Sequence, residues 1–291
     1  MEINGKISFT NGKFIKFKYR LDNVSPANYK ISLHTHDYCE MCIFVRGNMR
    51  HIVESSTYEL EEGDIFICRD NELHHGISIS ESCYERYVFY FPSDIFDHLS
   101  KGRNQLLPFL RSDNSKNHNL IKPDENTKLE LFDILKKVRT MFENHPMSYE
   151  AQAYSYIIRI FSLIGNLYRS SGYIAHQRYI PLHIEKALDY INNNFSTLSG
   201  ISEISDYLHI NPQYLARSFK RYMGVSITYY ITNKRISKSK EILHGDANVT
   251  DACFASGFNS TSYYIKIFRD MVGKTPAQYK RDVLNDHTSK K

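Results

Sequence analysis

Two short runs in the C-terminal third carry side chains suited to reading and holding a nucleic acid. Gln213, Arg217 and Lys220 are spaced by four and three residues, so on a helix they share one face, roughly opposite Leu215 and Phe219. Ser262, Lys266 and Arg269 repeat the arrangement 49 residues later, opposite Tyr264 and Phe268. Guanidinium, ammonium and carboxamide groups pair with base edges and with phosphates. One such face looks like an ordinary solvated helix surface, but two equivalent faces point to DNA. Far upstream, His34 and His36 are placed to share one strand face. Cys39-Glu40-Met41-Cys42 is a CxxC, but its odd spacing would put the thiols on opposite faces of a strand. That argues against a redox pair or a zinc knuckle.

The elements that must present these groups are visible in the pattern. Adding 49 to a position in the C-terminal third repeatedly returns a like residue: Asn211 to Ser260, Phe219 to Phe268, Lys220 to Arg269, Gly224 to Gly273 and Tyr230 to Tyr279. Asn211 and Ser260 suit N-caps, Pro212 suits a first turn, and Gly224 and Gly273 suit helix ends. A short amphipathic segment precedes each copy, namely Ile201, Ile204 and Leu208, then Val249, Cys253 and Phe254. His209-Ile210 and Gly257-Phe258 supply the turns. Helix, turn, helix, used twice, is the plan of a DNA-binding module.

Residues 1–95 read differently. Runs at Phe14–Tyr19, Met41–Val45, Ile65–Cys68 and Glu85–Phe91 are separated by turn signals such as Asn11-Gly12 and Glu62-Gly63-Asp64, which predicts a sandwich or barrel. Helical spacing follows in Leu129 to Phe142 and in Tyr154 to Tyr168, with a break at Asn144-His145-Pro146. These helices would pack on the barrel or on a second subunit. Arg169–Pro181 carries Ser-Ser-Gly and ends in Pro, so a linker is placed there.

Composition bounds the rest. At 291 residues and 42% hydrophobic, the chain can bury the cores of about two domains. Arg159 and Asn166 break its longest apolar stretch, so no membrane span is expected, and no signal peptide is visible at the N-terminus. Five cysteines, an odd number, fit free thiols in a reducing compartment. Residues 181–291 hold 15 Lys and Arg against 10 Asp and Glu, so the whole formal excess of +5 lies there. That localises an acidic partner to one domain.

The C-terminal residues resemble the arabinose-regulator (AraC/XylS) family of bacterial transcription factors. The resemblance spans 182–282 and is strongest over Gly257-Phe258-Asn259-Ser260-Thr261-Ser262-Tyr263-Tyr264, Phe268-Arg269, Gly273, Thr275-Pro276 and Tyr279-Lys280. It implies two helix-turn-helix modules joined by a linking helix around Tyr230 and Arg235-Ile236. It also implies a base-facing set of Gln213, Ala216 and Arg217, then Thr261, Ser262, Ile265 and Lys266, with Lys220 and Arg269 beside them. Ala216 and Ile265 depart from the polar residues usual in the family, and apolar side chains at those positions could meet thymine methyls.

The N-terminal run His34-Thr35-His36 through Glu40, then Gly47, then Gly63-Asp64 leading to His74, resembles the two cupin motifs. Cupins are double-sheet jelly rolls. The resemblance implies a ligand set of His34, His36, Glu40 and His74, and three imidazoles with one carboxylate suit Zn, Fe, Mn or Ni. Asn28, Arg69 and Asn71 stand where the pattern usually has Gly, Pro and Gly. Three readings compete: a divalent metal site, the polar lining of an organic effector pocket, or a remnant of the fold. The effector pocket is favoured, and no cofactor is assigned with certainty.

The sequence therefore predicts a multidomain α+β chain. Residues 1–168 form a cupin-like β jelly roll with trailing helices for effector sensing and dimerisation, and 169–181 form a linker. Residues 182–282 form an all-α tandem helix-turn-helix domain, and 283–291 a polar tail. The expected partners are double-stranded operator DNA, a small-molecule effector, a second copy of the chain and, for an activator, RNA polymerase, all in the cytoplasm. The chain is read as a regulator and not an enzyme. The alternative is a metal-dependent cupin enzyme fused to an autoregulatory DNA-binding domain.

Overall fold

A computed structural model describes residues 1–8, 12–54, 56–70, 72–96, 119–170 and 180–288. Asn11, Asn71, most of the expected linker (171–179) and the end of the tail (289–291) lie outside the described residues. The chain divides into two compact units, Met1–Tyr179 and Ile180–Lys291.

The first unit is a two-sheet barrel. Its strands are β1 (Glu2–Ser8), β2 (Phe14–Val24), β3 (Lys30–His34), β4 (Cys39–Arg46), β5 (Met49–Val53), β6 (Ser56–Glu59), β7 (Ile65–Cys68), β8 (His74–Ser78), β9 (Ser82–Phe91) and β10 (Leu120–Ile121). One sheet runs β1-β2-β9-β4-β7-β10 and the other β3-β8-β5-β6. All the pairings are antiparallel. The four predicted strand runs fall inside β2, β4, β7 and β9.

Strand alternation sorts side chains onto two faces of the larger sheet. Ile15, Phe17, Tyr19, Met41, Ile43, Tyr87 and Phe89 point outward and pack against two helices, α1 (Glu125–Asn144) and α2 (Tyr149–Ser170). Cys42, Phe44, Phe66, Tyr84 and Val88 point inward, with Met49, Val53 and Tyr58 of the second sheet. Cys39 and Cys42 accordingly lie in different clusters, on opposite faces of β4. All five thiols are free. Where the usual Gly and Pro are missing, side chains hold the turns. The Ser25 N–H donates to Asn28 Oδ1 (2.7 Å), and the Arg69 N–H to Glu72 Oε2 (2.8 Å).

The predicted helix break is real. His145 takes φ 46° and closes α1, its N–H donating to the Met141 carbonyl. Leu135, Val138 and Phe142 of α1 and Ile157, Phe161 and Ile164 of α2 are buried against the outer sheet face. Of the two packing options, these helices take the barrel.

The second unit is helical: α3 (Leu182–Asn194), α4 (Ile201–Leu208), α5 (Pro212–Met223), α6 (Ile227–Leu243), α7 (Val249–Ala255), α8 (Thr261–Val272) and α9 (Pro276–Thr288). Asn211 Oδ1 accepts from the Gln213 and Tyr214 N–H groups, and Ser260 Oγ from that of Tyr263. Gly224 (φ 69°) and Gly273 (φ 80°) end α5 and α8 in the left-handed region. The linking helix α6 reaches both modules. Tyr230 packs edge-on to Phe219 in the first, and the Ser239 hydroxyl meets the Tyr264 hydroxyl at 2.6 Å in the second. Arg235 donates to the carbonyls of Phe195 (2.8 Å) and Leu198 (2.6 Å), just beyond α3. Phe254 departs from the expected apolar face of α7 and is 55% exposed, its place inside taken by Ala252 and Cys253.

Candidate functional site

The barrel brings His34, His36, Glu40 and His74 together. His34, at the end of β3, is the register partner of His74 at the start of β8. His36 follows β3 by two residues, and Glu40 enters from β4. Their donor atoms all lie within 4.8 Å of one another. Glu40 Oε2 is 3.3 Å from His36 Nε2 and 3.8 Å from His74 Nε2. Neighbouring ligands on a sphere of ~2.1 Å radius stand ~3–3.5 Å apart, so the spacing suits a first-row divalent ion.

The backbone prepares the imidazoles for that role. His36 Nδ1 donates to the Tyr38 carbonyl (2.7 Å), and His74 Nδ1 to that of Glu72 (2.8 Å). A carbonyl can only accept, so Nδ1 keeps its proton, and with a metal in place each Nε2 would present its lone pair to the ion. Among the described residues, His74 Nε2 is buried with no partner at hydrogen-bond distance, the Glu40 carboxylate standing at 3.8 Å. Such an orphan is costly unless a cation or another donor meets it. Burial disfavours charge on Glu40, but the two imidazoles beside it outweigh burial and hold its carboxyl well below the usual carboxylate range. The residues present fit a bound divalent metal.

A cavity of about 250 Å³ opens next to this cluster, lined by Phe14, Lys16, Lys18, Tyr38, Tyr90, Phe91 and Pro92. Tyr38 joins the two, because its ring stacks on that of His36 at 3.9 Å and 9°. Tyr90 stands opposite Glu40 in the β4–β9 register. Sequence reading missed these wall residues. The available signal was Lys16 and Lys18 alternating with buried Ile15, Phe17 and Tyr19, which puts two ammonium groups on the inner face of β2. His51 and His75 are both buried, with His51 Nε2 3.1 Å from the Tyr84 hydroxyl.

In the helical unit, Gln213, Arg217 and Lys220 are exposed on α5, with Ala216 half-buried at their edge. Ser262, Lys266 and Arg269 are exposed on α8, Ile265 is 40% exposed and Thr261 is half-buried. Leu215, Phe219, Tyr264 and Phe268 are fully buried opposite them. Each module therefore turns its basic and polar stripe to solvent and its aromatic stripe to the core.

A barrel with a lined cavity, in one chain with two capped helix-turn-helix modules, defines a ligand-responsive DNA-binding regulator. Residues 23–126 match the AraC-like ligand binding domain, and residues 204–282 match the helix-turn-helix domain. The chain is 24% identical over 254 residues to the HTH-type transcriptional activator RhaR of Yersinia pestis, covering 85% of this chain and 84% of that one. It is 28% identical over 101 residues to the regulatory protein PocR of Salmonella typhimurium, a match that spans 33% of PocR. An apo ToxT structure from Vibrio cholerae aligns over 94% of this chain and 98% of its own, at 16% identity and a TM-score of 0.41. The chain belongs to the AraC family of transcription regulators. Among the described residues, no helix is long and apolar enough to cross a membrane.

Proposed function

We propose that this regulator reads a bipartite operator through Gln213, Ala216, Arg217 and Lys220 of α5 and Thr261, Ser262, Ile265, Lys266 and Arg269 of α8. The observation that carries this is the equivalent exposure of the two faces, each opposite a buried aromatic stripe on a helix capped at both ends. Footprinting tests it. Protection of two successive major-groove segments is expected, and protection of one alone would refute the two-module reading.

In the barrel, His34, His36, Glu40 and His74 would hold a divalent ion. The ion would supply a Lewis-acidic point for an anionic or chelating group of the effector. The effector acts by binding two domain arrangements with different affinity, which is what shifts their populations. The chain works as a cytoplasmic homodimer, residues 1–168 supplying sensing and dimerisation, 169–181 the linker and 182–282 the DNA contacts. As an activator it would also engage RNA polymerase. It is not an enzyme in this reading. The donor cluster itself favours the second reading, a metal-dependent cupin enzyme regulating its own pathway. Turnover of a bound ligand by the metal-loaded protein would select that one.

A further inference from the structure

The strands around the cavity carry an unusual charge arrangement. Lys6 and Lys16 are direct register partners on β1 and β2. Their ammonium groups sit 4.3 Å and 5.3 Å from the centroid of the same ring, Phe14. Like charges directly opposite each other destabilise a sheet. Among the described residues neither lysine has a carboxylate within ion-pair distance. Lys18, two residues on and on the same face, has only Glu2 at 3.8 Å and lies 5.7 Å from the Tyr90 ring. Lys13, nearby in sequence, is by contrast paired to Asp94.

The cavity between these groups is chemically two-sided. One wall carries Lys16 and Lys18, and the rest is Phe14, Tyr38, Tyr90, Phe91 and Pro92. Tyr38 and Tyr90 meet edge to face at 5.6 Å, which makes a corner of two rings. At about 250 Å³ the space is small for a ligand pocket.

We infer that this cavity is an anion subsite, in which Lys16 and Lys18 hold the carboxylate of a small organic acid whose flat or apolar body lies between Phe14, Tyr38 and Tyr90. A carboxylate there would meet Lys16, which is exposed and has no ion pair among the described residues, together with Lys18, and the rings would cover its body. An inorganic anion would meet the lysines but leave the aromatic corner unfilled. The inference deepens the reading of the barrel as an effector domain, and rests on that reading only for its consequence at DNA. Through Tyr38, stacked on His36, the ligand also touches the wall of the donor cluster.

Calorimetric titration of the full-length protein tests it, with benzoate and phenylacetate as acids, benzamide as the neutral isostere and inorganic phosphate as the bare anion. The acids are expected to bind, with benzamide and phosphate at least about tenfold weaker, as expected when a charge-assisted hydrogen bond or the buried ring is lost. Lys16→Gln and Lys18→Gln should each weaken benzoate about tenfold, while Lys137→Gln on α1 leaves it unchanged. The inference is overturned if benzamide or phosphate matches benzoate, if neither acid binds, or if the Lys16 and Lys18 variants bind as well as the parent. Affinity for a DNA sequence selected by the protein from a random pool separates the two readings. Lysine-dependent benzoate binding with no effect on DNA would sink the effector reading alone. A change in DNA affinity driven equally by benzamide would keep that reading and sink this one.

Discussion

At the scale of single residues, charge and hydrogen-bonding direction decide what each group can do. Arg217 stands exposed on α5 and has no ion pair or side-chain hydrogen bond among the described residues, so it can reach a base edge. Arg217→Ala should cost about 1–3 kcal/mol and relax preference at one base position, read by binding to a set of point-substituted sites. Lys220→Ala should instead weaken binding evenly across sequences and reduce the salt slope by about one. In the barrel, His36→Ala removes a donor whose proton is fixed on the far nitrogen. Elemental analysis of untagged protein should find near-stoichiometric divalent metal in the parent and a large loss in this variant. A metal-free parent would leave the four donors as polar lining. His51 gives a pH signature of its own, since burial pushes it down to about 3. The folded state holds it neutral while the unfolded chain protonates near pH 6.5, so its contribution to stability is lost as pH falls through 6.5 toward 3. His51→Gln should flatten that part of the acid limb in denaturant titrations, and an unchanged limb would remove His51 from the account.

At the scale of elements, the caps and turns decide whether the reading faces are presented at all. Asn211→Ala should cost about 1 kcal/mol through loss of two capped N–H groups at the start of α5, measured by urea unfolding. Gly257 is more demanding. It sits at φ 97°, and an added Cβ would come within 2.6 Å of the Ser196 Cα, so both torsion and space exclude a larger residue. Gly257→Ala should destabilise the helical unit by about 2–4 kcal/mol, the strain and overpacking terms together. The equivalent turn in the first module uses His209 at φ 54°, where the backbone has room for a side chain. The caps, the glycine stops and the strand runs were legible in the sequence because each depends on a few neighbouring residues. The packing of α1 and α2 was not, because an apolar stripe fits a sheet and a partner helix equally well until the sheet's outer face is known. Phe254 was misplaced for a related reason: a seven-residue helix has too few turns to fix which of its apolar residues face inward.

At the scale of the molecule, function depends on linking a ligand-binding barrel to a DNA-binding unit. The outer sheet face is already covered by α1 and α2, which narrows what a second copy can use. Leu129 at 65% and Met147 at 93% exposure are the large apolar side chains that these helices and the turn between them leave open. Sedimentation equilibrium of the full-length protein should return a dimer, and Leu129→Glu should shift it toward monomer. An unshifted equilibrium would exclude this end of α1 from the interface.

The sequence by itself determined the local grammar: two copies of a capped helix-turn-helix, alternating strands, and a set of histidines and a glutamate at recognisable intervals. These follow from periodicity and from the chemistry of short segments, which neighbouring residues control. Tertiary structure alone decided that His34 and His74, forty residues apart, are register partners. It also decided that Glu40 meets two imidazoles already oriented by carbonyls, and that Lys16 and Lys18 line one cavity with the Tyr38–Tyr90 corner. Those facts depend on strand pairing across the barrel, and pairing register is a property of the whole sheet rather than of any one strand.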